Sequence, residues 1–369
     1  MAALIYPRVR TYRKLISSST PEMPSKLEQM PSEIFLIIFR YIEVHDLITA
    51  FANLNSYFDS LLASSHLRVH AIIDPNDISL PPTTSNSLWH IIKPQNLCSM
   101  KMKDKKQTLL VEFVLYHAND LIHLTSLTLI MEGCHIEGII RILPLLVDLK
   151  HLFIKNRSRN TEANSKNSFL TTILKMKSLC TCTMDEWFTE HAERNFTSSN
   201  TIRKLSMKST VSASLILLIL PYMPNLRVFQ IDTLTWNDFL PFPQGKVVHN
   251  RLAVLEIRRL VNEYWKFEQL IHAAPNLRHL RISDWTLYKN EGHDIFLNPN
   301  VFKRLVEHVT DVRVYLEFSI YSYDCTELQN RIKGCSWLTL ESSFYNYLDA
   351  ETILEATFEK KTEVNTNFK

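Results

Sequence analysis

The pattern of apolar and polar positions divides this chain into two unlike parts. From Ile34 to Ile42 nearly every residue is apolar and Arg40 carries the one charge, so a helix here presents apolar side chains on all sides. Pro31 suits a first turn because its missing N–H would be unpaired there, and Glu33 sits favourably against the positive end of the helix dipole. The helix therefore starts at Pro31. Asp46 is placed to cap a second helix carrying Leu47, Ala50, Phe51 and Leu54, and Asn55 or Ser56 to cap a third carrying Tyr57, Phe58, Leu61 and Leu62. Three helices in about 40 residues lie near the lower size limit for independent folding, and their shared core covers only one face of the first. Ile34, Phe35, Leu36, Ile37, Ile38, Phe39, Tyr41 and Ile42 surround that helix, so some of them must meet another surface, for which a partner protein is the natural candidate.

Beyond about residue 120 the pattern changes to L-x-x-L-x-L, with near-aliphatic residues in all three places. The copies are Leu124-Leu127-Leu129, Leu149-Leu152-Ile154, Leu179-Cys182-Met184, Ile202-Leu205-Met207, Leu226-Phe229-Ile231, Leu252-Leu255-Ile257, Leu277-Leu280-Ile282 and Val309-Val312-Val314, with Cys335-Leu338-Leu340 a possible ninth. Their starts recur every 23 to 32 residues. The fourth and sixth positions alternate as in a strand, while the first turns into the same core from the preceding corner. Helix-like stretches lie between: Ile139 to Val147, Phe169 to Met176, Ala213 to Tyr222, Tyr264 to Ala273 and Val301 to Val309. Two junctions, Pro224-Asn225-Leu226-Arg227 and Pro275-Asn276-Leu277-Arg278, are nearly identical, each with a proline stopping the helix before the strand. No single unit buries its own apolar face, so the units must stack, with a parallel sheet lining one side.

The segment Met30-Pro31-Ser32-Glu33-Ile34, the apolar run to Phe39 and Ile42, then Asp46-Leu47 and Leu54-Asn55 with Phe58 together resemble an F-box, with Met30 where the family usually has Leu and Tyr57-Phe58 where it often has Trp. The downstream pattern resembles leucine-rich repeats. The combination implies an α/β chain: an N-terminal three-helix F-box, then an irregular leucine-rich-repeat solenoid with a parallel sheet on its concave face and helices on its convex face. It also implies a substrate receptor of a ubiquitin ligase, in which Met30, Pro31, Ile34, Phe35, Ile38, Phe39, Ile42 and Leu47 dock a Skp-family adaptor, and through it a cullin–RING ligase, while the repeats hold a target protein. The chain itself would be no enzyme. The other reading is a scaffold without a ligase, whose F-box-like helices merely cap the repeats. The resulting division is a disordered basic tail over 1–24, the F-box over 25–70, a linker and repeat cap over 71–110, the solenoid over 111–350 and a C-terminal tail over 351–369.

In the standard repeat an Asn or Cys follows the third aliphatic by three residues and satisfies backbone groups in the turn. Here those places hold Glu132, Arg157, Trp187, Thr210, Leu234, Leu260 and Trp285, so irregular turns are expected. Residues alternating with the buried ones should line the concave face. Among them Lys204, Lys208, Gln230, Glu256, Arg258, His279, Arg281, Arg313 and Tyr315, with Asp311, form a mixed-sign patch suited to a protein target.

Composition adds exclusions. A net charge of +3 argues neither for nor against nucleic acid, and Lys101, Lys103, Lys105 and Lys106 lack interleaved aromatics and read as a solvated linker run. The greasiest internal run, Leu215 to Leu220, is too short to span a bilayer. Neither nucleic acid nor membrane is an expected partner. Six cysteines without metal spacing read as reduced thiols of a cytoplasmic or nuclear chain. The first 20 residues, with Arg8, Arg10, Arg13 and Lys14 and no acid, have transit-peptide composition, but Pro7 favours a disordered tail. The prolines at 75, 81, 82 and 94 mark a connector, part of which, around Trp89 and Ile91-Ile92, is expected to pack on the first repeat. Five glycines, scattered histidines and no nucleophile elbow leave no catalytic motif or cofactor site; His45-Asp46 reads as a helix cap.

Overall fold

The computed structural model describes residues 27–73, 92–104, 114–131, 136–156, 163–185, 196–235, 248–261, 264–288, 307–321, 339–340, 345–346 and 351–361. The expected N-terminal tail, Trp89, Ile91, Lys105, Lys106, Glu132, Arg157, Trp187, Cys335 and Leu338 lie outside them, as do 301–306 of the helix-like stretch ending at Val309.

Helix α1 runs Ser32–Phe39, α2 Val44–Phe51 and α3 Ser56–Leu62. Pro31, expected as the first helical residue, stands at the N-cap, so α1 begins one residue later than expected. α2 begins at Val44 with Glu43 at its N-cap and no side-chain cap bond, so Asp46 lies inside the first turn and the capping role expected for it is not taken. There its carboxylate still favours the positive end of the helix. Asn55 does cap α3, its side chain accepting from the Phe58 N–H at 3.0 Å. Asn53 turns the chain between α2 and α3 with φ 57°, a left-handed conformation that Asn tolerates, and its N–H donates to the Asp59 carboxylate at 2.8 Å. Phe35, Phe39, Phe51 and Phe58 fill the centre of the trio with ring centroids 4.9 to 5.8 Å apart. The Tyr57 hydroxyl donates to the Met30 carbonyl at 2.9 Å and so ties the start of α1 to α3.

A parallel sheet follows, its ten strands lying side by side in chain order: β1 Val69–Ile73, β2 Leu97–Asp104, β3 Ser126–Met131, β4 His151–Asn156, β5 Thr181–Met184, β6 Lys204–Ser212, β7 Val228–Thr235, β8 Val254–Val261, β9 His279–Tyr288 and β10 Asp311–Tyr321. Crossovers between them carry helices α4 Ile136–Ile142, α5 Ala163–Lys175, α6 Ala213–Ile219 and α7 Tyr264–His272. Successive crossovers of one hand put the helices on one face of the sheet. α5 starts six residues before the expected Phe169, because Ala163 to Ser168 is polar and carries no apolar period. In every described copy of L-x-x-L-x-L whose side chains are resolved, all three aliphatic positions are buried. They form one core continuous with Phe35, Phe39 and Leu62 of the helical trio.

Both ends of the sheet reach further than the sequence suggested. β1 and β2 lie where a connector was expected, and Leu97-Met100-Met102 on β2 is an earlier copy of the motif that methionines disguise. Lys101 and Lys103 are thus strand residues and not part of a linker. At the other end Glu351–Lys361, expected as a polar tail, forms a further strand antiparallel to β10 over its whole length, from Asp311 opposite Lys361 to Tyr321 opposite Glu351. This strand covers the N–H and C=O groups that β10 would otherwise present as an open edge. Leu340, assigned to a possible ninth parallel copy, instead pairs antiparallel with that strand.

At the four described places of the missing Asn ladder, Thr210, Leu234, Leu260 and Trp285, the expected irregular turns are replaced by longer strands. Val211, Leu234 and Leu260 are buried and stand in register, Leu260 opposite Trp285 and Trp285 opposite Leu316. An apolar row thus continues the sheet where the standard repeat would turn. Registry is also fixed at the other end of the strands. The carbonyls of Thr125, Lys150, Cys180, Arg203, Arg227, Ala253 and Arg278 each accept two N–H groups from the next unit at 2.8 to 3.1 Å. The matched junctions add equivalent side-chain links, Asn225 Nδ2 to the Asn200 carbonyl at 2.5 Å and Asn276 Nδ2 to the Asn250 carbonyl at 2.7 Å.

His249 occupies the corner three residues before Leu252, where neighbouring units place Leu146, Met223 or Ala274. Its Nδ1 accepts from the Leu252 N–H at 3.0 Å, which leaves Nε2 as the N–H that donates to the Met223 carbonyl at 2.7 Å. Replacing it by Ala strands two buried backbone groups and opens a cavity. Urea unfolding of His249→Ala is expected to show a loss of about 2 to 4 kcal/mol.

Cys182 on β5 is fully enclosed and burial pushes its thiol up to about 12. A raised thiol pKa favours the fold below the free-thiol value and the contribution is lost as pH rises towards 12. The expected results are no reaction of Cys182 with an aromatic disulfide reagent at pH 8 in the folded chain, and steeper alkaline destabilisation in the native chain than in Cys182→Ala. Rapid labelling of Cys182 at pH 8 would contradict its burial. Among the described residues, no helix is long and apolar enough to cross a membrane.

Candidate functional site

α1 carries two interleaved apolar stripes, and α2 and α3 cover only one of them. Phe35 and Phe39 point into the trio's own core, whereas Ile34, Ile37, Ile38 and Tyr41 are exposed, Ile37 at 51 % and Tyr41 at 86 %. Ile34, Ile37 and Ile38 follow i, i+3, i+4 spacing on α1, and Tyr41, in the turn just past the C-cap Arg40, extends the same apolar stripe. Exposed Leu27 and Leu54 flank the trio.

This geometry corrects the expected docking set. Phe35, Phe39 and Leu47 are enclosed by their own chain and cannot touch a second one; they hold the helix that presents the others. Met30 and Ile42 are half-buried against the core, and Pro31 is exposed at the head of α1. Ile34 and Ile38 stand in the stripe as expected. Ile37 and Tyr41 complete it; they were not singled out, although their spacing from Ile34 was the available signal.

On the sheet, cross-strand register builds two rows on the face away from the aliphatic core positions, all but Ser206 at least partly exposed. One runs Lys204, Val228, Val254, His279, Asp311; the other runs Ser206, Gln230, Glu256, Arg281, Arg313. Much of the expected mixed-sign patch is occupied with itself. Gln230 donates to Glu256 at 2.6 Å, Arg258 pairs with Asp232 at 3.0 Å, His279 lies 3.2 Å from Asp311, and Arg313 stands 3.8 Å from the same carboxylate. Such exposed pairs each contribute about 0 to 1 kcal/mol, so their effect is to fix side-chain positions. Lys204, Lys208 and Arg281 have no ion-pair partner among the described residues. Tyr315 lies on β10 beside the register shift after Val314. Arg259 and Asp284, 3.1 Å apart, also join the face. They escaped strict alternation because the chain passes from buried Ile257 to buried Leu260 through two exposed residues.

Cys98, half-buried on β2, lies 3.8 Å from the His70 ring; burial raises its thiol pKa, with Arg40 and Arg68 opposing the shift. Among the described residues, no group of His, Cys, Asp and Glu is placed to hold a metal ion. No protein-family model and no curated protein matches this chain.

Proposed function

We propose that this chain is the substrate-recognition subunit of a Skp–cullin–F-box type ubiquitin ligase, in which α1 to α3 act as an F-box and the parallel units as a leucine-rich-repeat solenoid. The observation that carries the reading is the bare apolar stripe of Ile34, Ile37 and Ile38 on α1, continued by Tyr41 in the turn after it, on a helix whose opposite stripe is fully packed. A monomer gains nothing from leaving that stripe in water, whereas an apolar groove on a Skp-family adaptor would remove it from water at about 25 cal/mol per Å². The role is positional. Ligation chemistry belongs to other subunits, and this chain raises the effective concentration of a target's lysines beside them.

A second reading, a scaffold in which the trio caps the sheet, has its own support, because α2 leads from Glu43, which bridges to His70 on β1, and the trio shares the sheet's core. The two uses occupy opposite faces of the trio. The double variant Ile34→Asp/Ile38→Asp separates them. Loss of binding to a recombinant Skp-family adaptor, with an unchanged melting temperature, is the expected result. Wild-type chain that fails to bind the adaptor at all, or a double variant that binds as before, removes the ligase reading.

A further inference from the structure

The backbone ladder that joins successive units also aligns their side chains. The residues whose carbonyls form it run Thr125, Lys150, Cys180, Arg203, Arg227, Ala253, Arg278, so Arg203 and Arg227 immediately precede the adjacent strands β6 and β7 and Arg278 precedes β9, two strands further. The unit that has Ala253 in this row carries Arg251 two residues earlier, held by the Asn225 side chain. All four arginines are exposed. None of them has an acidic partner among the described residues. The turns that lead into these strands, residues 197–203, 223–227, 248–253 and 274–278, contain no Asp or Glu.

The sheet face supplies an internal comparison. There Arg258, Arg259 and Arg313 each have a carboxylate at 3.0 to 3.8 Å. Along the rim at the start of the strands, like charges are stacked at inter-strand spacing with no carboxylate of the described residues paired to them. Each member of such a row repels its neighbours, and an incoming anion relieves the whole set at once.

We infer that this rim, centred on Arg203, Arg227, Arg251 and Arg278, binds an acidic segment of a protein partner in extended conformation. The four strands β6 to β9 set three spacings of about 4.8 Å, roughly 14 Å in all, which five or six extended residues at about 3.3 Å each can follow. Guanidinium groups take carboxylates bidentately, so an Asp- and Glu-rich segment matches the row in charge and in donor geometry. Nucleic acid fits less well. Single strands are held by basic grooves with aromatic platforms for the bases, and these turns contain no Phe, Tyr or Trp. The rim is preorganised, because Asn225 and Asn276 spend their amides on backbone carbonyls of the preceding units. The inference stands on the parallel units alone and is tested without any adaptor.

The test is a fluorescence titration of the full chain with a labelled peptide of about eight residues built from Asp, Glu and Ser, long enough to cross the row. Binding that weakens with added salt is expected. The triple variant Arg203→Glu/Arg227→Glu/Arg278→Glu, checked for folding by circular dichroism, should weaken it at least about tenfold, and the corresponding triple Lys variant, which keeps the charge but loses the guanidinium fork, should weaken it by a smaller factor. Arg141→Ala, exposed on α4 and away from the rim, should leave the affinity unchanged. Absence of peptide binding, or equal affinity in the Glu variant, overturns the inference. So does an oligouridine of similar charge, or a vesicle of phosphatidylserine and phosphatidylcholine, that binds more tightly than the peptide.

Discussion

Asn placed at Leu234 or at Leu260 is expected to cost about 3 to 8 kcal/mol at either site and to unfold the double variant at ambient temperature. The opposite outcome would follow if this chain built its units as the standard leucine-rich repeat does, where an Asn at that place satisfies turn carbonyls. Here the strands run straight through. Val211, Leu234 and Leu260 form a buried row in register, and the neighbouring backbone groups are already engaged in sheet pairing. Removing a buried Leu costs about 2 to 5 kcal/mol, and an amide left without partners in its place adds about 1 to 3 kcal/mol. Because the two residues face each other on adjacent strands, their effects will not simply add. Urea unfolding of the single variants decides the matter: a loss under about 1 kcal/mol would mean that the row tolerates a polar ladder after all.

The same residues show what could be read from the chain beforehand. The parallel sheet was legible because Leu127, Leu152, Cys182, Leu205, Phe229, Leu255 and Leu280 each serve one structural role at a repeating interval, and burial leaves little freedom of residue type there. Leu97-Met100-Met102 plays the same role but was not seen, since methionine fills core space without marking a strand. The strand Glu351–Lys361 was hidden for another reason. It pairs antiparallel beside β10 and holds Glu351, Glu355, Glu359, Lys360 and Lys361, a composition that reads as a tail when the edge it covers is unknown. Charges on the sheet face could be placed, but not their partners. That Arg258 reaches Asp232 while Arg281 reaches no acid among the described residues depends on register and side-chain reach, which periodicity does not encode.

On α1, Phe39→Ala and Ile38→Ala should separate cleanly although the residues are neighbours. Phe39 is fully enclosed, with ring centroids 5.8 Å from Phe35 and 4.9 Å from Phe51, so its truncation empties the middle of the trio and is expected to cost about 3 to 5 kcal/mol. Ile38 is 41 % exposed on the other stripe, and its truncation should change stability by no more than about 0.5 kcal/mol. Adaptor titration then reads the reverse order of specificity. Ile38→Ala should weaken binding about tenfold in a folded chain, an interface loss of roughly 1.4 kcal/mol, whereas Phe39→Ala weakens it only in proportion to the unfolded fraction. If Ile38→Ala lowered the melting temperature as much as Phe39→Ala, the outer stripe would be covered by the chain's own residues in solution. The helical trio would then serve as the cap of the sheet, and the surface assigned to an adaptor would not exist.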